Sequence, residues 1–390
     1  MKKILYYAAL LFAGTFLTTS CVGDLNQYPH IETTSADVYT SAANYKAVLG
    51  KLYVSFVISG QEKGGGNSDM SSNSGYDYLR CYFNMQECGT DELVYTWQEG
   101  DKMSGLTYLS WDANDVWVSD TYYRIYYTIA LCNATDGQIS AFSESEQEEI
   151  RHYRAEARFI RALAYTHALD LFRNVPFVTE GDPVGNYLPP RYTGKQLFDN
   201  LESELKAIDD DLLDRTACEY GRASRSAAHA LLARLYLNAE IYTGTARWTD
   251  CITYCNRILT AGYTLEDDYA LLFNADNHLR TNEIIYAFPV DSERTMTWGA
   301  TTYIICGSIN NTSDTQLPTD YGVPSGWGSF RLRGEFPNLF DANDSRAMFY
   351  TEGQTQSVDV VESQSNGYLS EKWTNLTDAG EAGSPSNDGS

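Results

Sequence analysis

Positive charge is scarce in this sequence: 28 lysines and arginines stand against 52 aspartates and glutamates, a net charge of −24 over 390 residues. A phosphate-binding surface would have to be built against that global field, so nucleic acid is not an expected partner. Long apolar runs are scarce too. The longest, from Ile4 to Leu17 and interrupted only by Gly14 and Thr15, falls short of the roughly 20 residues that cross a hydrocarbon core. Histidine is sparse and scattered (His30, His152, His167, His229, His278), with no HExxH or His-x-His spacing. Equally missing are a GxSxG elbow, a P-loop and a GxGxxG after a strand, which removes the common hydrolase, NTPase and dinucleotide chemistries. None of the eight cysteines (21, 81, 88, 132, 218, 251, 255, 306) forms a CxxC pair. Cys251 and Cys255, one helical turn apart, read as small core residues rather than half a metal site. Oxidation of Cys81 with Cys88 stays open, because the protein reads as exported.

Two patterns imitate chemistry and fail on detail. Asp341-x-Asn343-x-Ser345 with Glu352 at the twelfth position mimics a calcium loop, but the sixth position, which needs glycine, is Arg346. Asp209-Asp210-Asp211 ends a helical pattern and reads as a solvated turn. A glycosidase needs two carboxylates facing each other at about 5 to 9.5 Å, and among 52 acids no particular pair is singled out. Neither a catalytic constellation nor a cofactor or metal is expected.

What the sequence does have begins at its N-terminus. Lys2 and Lys3, the short apolar run and Thr18-Thr19-Ser20-Cys21 read as a signal peptide over 1–20. Small residues ending at Cys21 before a polar segment suggest a lipoprotein, with Cys21 acylated and 21–34 a tether. Leu17 sits one place further from the cysteine than the usual motif has it, so an ordinary secretory cut near Ser20 is the alternative. Aromatics are abundant: 30 Tyr, 7 Trp and 15 Phe, 13% of the chain. Tyr and Trp combine a flat apolar face with a polar tip, which suits interfaces and sugar rings.

The middle of the chain has helical periodicity. Ser145 with Glu148 offers a capping box, followed by Ile150, Tyr153, Ala157, Ile160, Ala164, His167 and Leu171 in steps of three and four, up to Asn174-Val175-Pro176. Thr193 with Gln196 opens a second helix, with Leu197, Leu201, Leu205, Ile208 and Leu212 on its stripe. A third, alanine-rich helix is expected over 224–242, stopped by Gly244, and a fourth over 248–261, capped by Gly262. Helices over 35–57 and 111–133 complete an upstream pair, separated by a Gly-, Ser- and Asn-rich insertion, 59–105, expected to be one long loop. Paired helices recurring at about two tetratricopeptide periods make the expected fold mainly α: TPR-like repeats over 35–280 forming a scaffold. The remainder, 281–390, is expected to be an irregular, aromatic-rich region with short strands, the apolar stretch 284–288 being one.

These residues resemble a family. Cys21 with Asp24-Leu25 and Pro29 is similar to the exported N-terminus of SusD/RagB-like lipoproteins. The run Ala155-Glu156-Ala157-Arg158-Phe159-Ile160-Arg161-Ala162-Leu163-Ala164-Tyr165, continuing through Leu171-Phe172-Arg173-Asn174-Val175-Pro176, resembles its most recognisable helix and closing turn, with Arg173-Asn174 in place of Gly-Asp. Gly221-Arg222-Ala223-Ser224, Asn282-Glu283-Ile284-Ile285, and Leu339-Phe340 followed by Asp344-Ser345-Arg346 continue the match in order. The resemblance implies an outer-membrane lipoprotein that covers a SusC-like TonB-dependent transporter and binds glycans or peptides at an exposed aromatic surface. Family members continue into further helices, so a C-terminally truncated form or fragment is expected.

The expected function is capture of an oligosaccharide or polysaccharide, with a TPR-like scaffold or adhesin for protein ligands as the alternative. Stacking a pyranose face on Trp or Tyr removes about 50 to 100 Å² of apolar surface, worth roughly 1 to 2.5 kcal/mol. Candidate platforms are aromatics outside the periodic helices: Tyr76, Tyr78, Tyr95 and Trp97 in the insertion, and Trp298, Tyr321 and Trp327 in the irregular half. Asp77, Arg80 and Arg331 are the candidates for fixing hydroxyls.

Overall fold

The computed structural model describes residues 38–62, 66–70, 76–135, 143–183, 185–310 and 316–384. The expected signal peptide, Cys21 and the tether lie outside the described residues. Among the described residues, eight helices of nine residues or more carry the architecture: α1 (Ala42–Val54), α2 (Tyr78–Glu87), α3 (Val116–Ala134), α4 (Glu144–Phe172), α5 (Gly194–Ala207), α6 (Arg225–Leu237), α7 (Trp248–Thr260) and α8 (Ala300–Ser308). The longest, α4, is the spine, packed against α1, α3 and α5, while α6 pairs with α7 and α2 with α3. Small residues on α4 (Ala155, Ala157, Ala162, Ala164, Ala168) are buried in the main core, which lets neighbouring backbones approach. Among the described residues no helix is long and apolar enough to cross a membrane.

Capping residues decide where these helices begin. Thr193 and Gln196 form the expected reciprocal box on α5. On α4 the box is Ser143 with Glu146, two residues before the expected Ser145 and Glu148, because Ser143 is the residue with extended backbone that can present its hydroxyl. The helix expected over 111–133 starts only after Asp115, whose carboxylate accepts from the Trp117 and Val118 N–H groups at 2.9 and 3.2 Å. The one expected over 35–57 is α1, opened by Ser41. The expected helix over 224–242 is two, α6 and the short Ala239–Thr243, broken at Asn238 and closed by Gly244 at φ +79°.

Two expectations are corrected. The insertion 59–105 is not one long loop: it holds α2, the strand β1 (Leu93–Tyr95) and a short helical turn, and it buries Tyr78, Cys81, Cys88, Tyr95 and Met103. Cys81 and Cys88 remain thiols; seven residues of helix separate them by about 10 Å, beyond disulfide reach. The apolar stretch 284–288 forms no strand. Among the described residues, strands occur as three two-stranded antiparallel ribbons: β1 with β4 (Phe330–Leu332), β2 (Val175–Pro176) with β3 (Arg191–Tyr192), and β5 (Phe349–Tyr350) with β6 (Leu369–Ser370). In the calcium-like stretch, Arg346 donates to both oxygens of Asp344, at 2.9 and 2.6 Å.

The helix motif that carries the resemblance proves architectural. Glu156 of α4, 2% exposed, accepts the Tyr53 hydroxyl of α1 at 2.5 Å and the Arg222 guanidinium through Nε at 3.0 Å and, more closely, through Nη2. Tyr53 in turn accepts the Ala223 N–H at 2.8 Å. Burial first, and then the Glu156 charge, push the Tyr53 phenol well above its ordinary value, keeping it a donor. One carboxylate thereby joins α1, α4 and the turn before α6. Two residues along, Arg158 grips Glu204 of α5 with two 2.8 Å bonds, and Arg161 reaches Glu204 and Asn133 at 2.8 Å each.

Candidate functional site

The β1–β4 ribbon sets the geometry of a partly exposed aromatic cluster. Its register pairs Leu93 with Leu332, Val94 with Arg331 and Tyr95 with Phe330, and the ladder runs on through Thr96 N–H to Ser329 O at 2.6 Å. Trp97, the next residue, therefore lies beside the 327–328 segment. That segment hangs on the end of α8: the N–H groups of Trp327, Gly328 and Ser329 donate to the carbonyls of Cys306, Ile309 and Gly307 at 2.7, 2.6 and 2.9 Å. Trp298 immediately precedes α8, and its ring meets that of Trp327 with centroids 6.0 Å apart and planes at 46°. Trp298 and Trp327 thus meet from two chain segments, with the Trp97 backbone beside the second of them; Trp97 and Trp298 are 38% and 37% exposed and Trp327 is half-buried.

Glycines make the close approaches possible. A Cβ on Gly299 would fall 1.6 Å from the Asp77 carboxylate, and one on Gly328, at φ +58°, would fall 2.3 Å from the Gln364 side chain. Asp77 caps α2, accepting from Arg80 N–H at 3.0 Å, and takes the Thr297 hydroxyl at 3.0 Å. Burial raises its pKa, against the pull of those hydrogen bonds.

Beneath the tryptophans lies Arg80. Its guanidinium is sandwiched between the rings of Tyr76 and Tyr303, at 3.5 and 4.1 Å from their centroids, a cation–π arrangement that desolvation strengthens. Nη1 donates to the Trp298 carbonyl at 2.9 Å and Nη2 to Asp101 at 3.3 Å. Asp101 also accepts the Tyr95 hydroxyl, and its carbonyl takes the Trp117 indole N–H at 2.8 Å. Trp117 stacks on Tyr76 with centroids 5.6 Å apart and planes parallel to 2°.

The ten expected site residues accordingly separate into two groups. Trp97 and Trp298 present rings, and Trp327, Tyr76 and Tyr321 are partly accessible. Tyr78, Tyr95 and Arg331 have no accessible surface, and Asp77 and Arg80 have 1% and 3%, so these five frame the face instead of forming it. The cause is that α2 and β1 stand where a loop was expected. Tyr78 bonds His167 Nδ1 at 2.8 Å, and burial pulls His167 down to about 3, leaving it neutral. Tyr321 belongs to a separate small core beyond α8 and donates to Glu371.

Sequence reasoning missed Asp101, Trp117, Thr297 and Tyr303. A signal did exist in the Trp298-Gly299 and Gly326-Trp327-Gly328 juxtapositions, which place glycine where a ring needs close backbone. Residues of α4, α6, α8 and the 283–292 segment line a cavity of about 1170 Å³ that contains none of the ten residues. Among the described residues no group of three His, Cys, Asp or Glu side chains is arranged to hold a metal.

A family model of the SusD-like group, described as starch-binding associating with outer membrane, matches residues 78–237. The starch-binding protein SusD of Bacteroides thetaiotaomicron is 31% identical over 347 residues, which cover 87% of this chain and 60% of that protein. The chain belongs to the SusD-like family. It spans three fifths of the length of that relative. Solved SusD-like structures share the fold: a SusD superfamily protein from Bacteroides thetaiotaomicron superposes with a TM-score of 0.67 at 17% identity, covering 89% of this chain and 72% of that one. Surface glycan-binding protein A from the same organism, solved in complex with laminarihexaose, gives 0.63 at 14% identity, covering 88% and 73%.

Proposed function

We propose that this SusD-like chain is a surface lipoprotein that captures oligo- or polysaccharide on the face formed by Trp97, Trp298 and Trp327, delivers it to a TonB-dependent outer-membrane transporter and catalyses nothing. The observation that carries the reading is the Trp298–Trp327 ring pair, 6.0 Å between centroids, with Trp97 following the neighbouring strand and both Trp97 and Trp298 more than a third exposed. The starch-binding relative and the laminarihexaose complex of a protein sharing the fold support a glucan as the first ligand to test. Two or three stacked rings at roughly 1 to 2.5 kcal/mol each, less the cost of association, give affinities of about millimolar to micromolar. Such weak capture suits cargo that must be released, and tethering over a pore raises its local concentration at the entrance.

The test is a glycan array with affinity electrophoresis in starch and laminarin gels. Retardation in at least one polysaccharide, lost on adding its oligosaccharide, is expected. Failure on every glycan together with saturable peptide binding would replace this reading with the scaffold or adhesin. The anchor and the partner are tested together by fractionation. Native protein is expected in the outer membrane, co-purifying with a TonB-dependent transporter after gentle detergent extraction, while Cys21→Ala is expected in the soluble fraction. A Cys21→Ala protein that stays membrane-bound would refute acylation at that residue; native protein emerging alone would refute the transporter complex.

A further inference from the structure

Arg331 lies in β4 opposite Val94, wholly buried. Its guanidinium is divided between two segments: Nη1 donates to Thr96 Oγ1, next to Trp97, while Nε donates to the Asn366 carbonyl and Nη2 to the Val361 carbonyl at 2.5 Å, both in the 361–366 loop. These partners are one hydroxyl and two carbonyls, none of them charged. Burial pulls its pKa down to about 10, which still leaves a full charge at neutral pH. Its hydrogen bonds all go to neutral groups, with Glu362 the charge that partly offsets burial; holding a cation this way is costly, and an apolar side chain would serve a two-stranded ribbon at lower cost. What arginine supplies and an apolar residue cannot is a rigid planar fork with donors in fixed directions.

Those directions matter for what they join. The 361–366 loop backs Trp327: Gln364 Nε2 donates to the Trp327 carbonyl at 3.4 Å, and the Gln364 carbonyl accepts from Asn310 Nδ2 at 2.9 Å. Gly367, at φ +87°, lets the loop return onto β4, where an added Cβ would fall 2.6 Å from the Leu332 carbonyl, and Leu332 N–H closes on Tyr368 O at 2.8 Å. One guanidinium therefore spans from the turn carrying Trp97 to the loop behind Trp327. We infer that Arg331 is a positioning residue of the aromatic face, fixing the spacing of Trp97 and Trp327 before ligand arrives without touching the ligand. This rests on the tryptophan face being the glycan surface; the advantage is pre-organisation, since rings already fixed lose less freedom on binding.

The experiment uses the full chain labelled with 5-fluorotryptophan, its seven tryptophan signals assigned by Trp→Phe substitution, with Arg331→Lys and Thr96→Val as variants. Lysine keeps the charge but cannot reach all three acceptors; valine keeps the shape of Thr96 but removes the acceptor beside Trp97. Both variants are expected to shift or broaden the Trp97 and Trp327 fluorine signals while Trp248 on α7 stays put. Oligosaccharide affinity is expected to fall about tenfold for Arg331→Lys and severalfold for Thr96→Val, with the melting temperature nearly unchanged. Unaltered Trp97 and Trp327 signals with unaltered affinity would overturn the inference. If Arg331→Lys fails to fold, Thr96→Val decides alone. Should the unmodified protein bind no glycan, the functional reading fails, while the fluorine spectra still decide whether Arg331 sets the rings.

Discussion

Glu156→Ala is expected to lower the free energy of unfolding by roughly 3 to 5 kcal/mol, the cost of removing one partner from a buried charged pair. The side chains of Glu156 and Arg222 are 3% and 13% exposed, so solvent does little to screen what is left. Without the carboxylate, Arg222 keeps only Glu219, an exposed acid at 3.0 Å, and the Tyr53 hydroxyl loses its acceptor while still holding the Ala223 N–H. Three elements are loosened by a single change: α1, the middle of α4 and the turn that opens α6. Glu156→Gln, which keeps the shape and one acceptor but loses the charge, should fall between wild type and alanine. Urea denaturation followed by far-ultraviolet circular dichroism measures all three proteins. A loss below about 1 kcal/mol for alanine, within the range of an exposed ion pair, would contradict the architectural role given to this residue.

That role also explains why the scaffold was legible in the sequence. Buried stripes at steps of three and four, as in Leu197, Leu201 and Leu205, have no reading other than a helix, and Thr193 with Gln196 marks its start to the residue. The resemblance motif around Glu156 and Arg158 is the set of polar rivets between helices, so matching it located the fold, not the site. Where local rules failed, a tertiary partner had won. Tyr78 and Cys81 lie in a Gly-, Ser- and Asn-flanked segment, yet α2 is formed because it packs on α3 and receives the Asp77 cap. The apolar stretch 284–288 was expected to be a strand; Tyr286 and Phe288 are instead packed against the helical core with their rings on Phe159 and Phe56, and apolar composition cannot distinguish those two uses. The site was legible by residue type and not by exposure. Tyr95 and Trp97 are two residues apart with equal claims on paper, but β1 turns the first inward onto Asp101 and leaves the second outside.

Trp298→Ala is expected to weaken oligosaccharide binding by roughly 1 to 2 kcal/mol, about five- to thirtyfold, with the melting temperature nearly unchanged. Trp298 is anchored through its carbonyl by Arg80, a bond that a side-chain truncation leaves in place, so the loss reports the ring alone. Trp327 is different. Its ring also meets Tyr303, with centroids 6.5 Å apart, and borders two small cores, so Trp327→Ala should cost stability as well as a similar factor in affinity, and Trp327→Phe restores much of the first without the full area of the second. Because the two indoles touch, their effects should couple: the double variant Trp298→Ala, Trp327→Ala is expected to lose measurably less than the sum of the singles if each ring holds the other at its 46° tilt, and the sum itself if they act on separate sugar units. Isothermal titration calorimetry with a glucan oligosaccharide separates these outcomes. Trp298→Ala with wild-type affinity would remove that ring from the binding surface and with it the proposed geometry of the face.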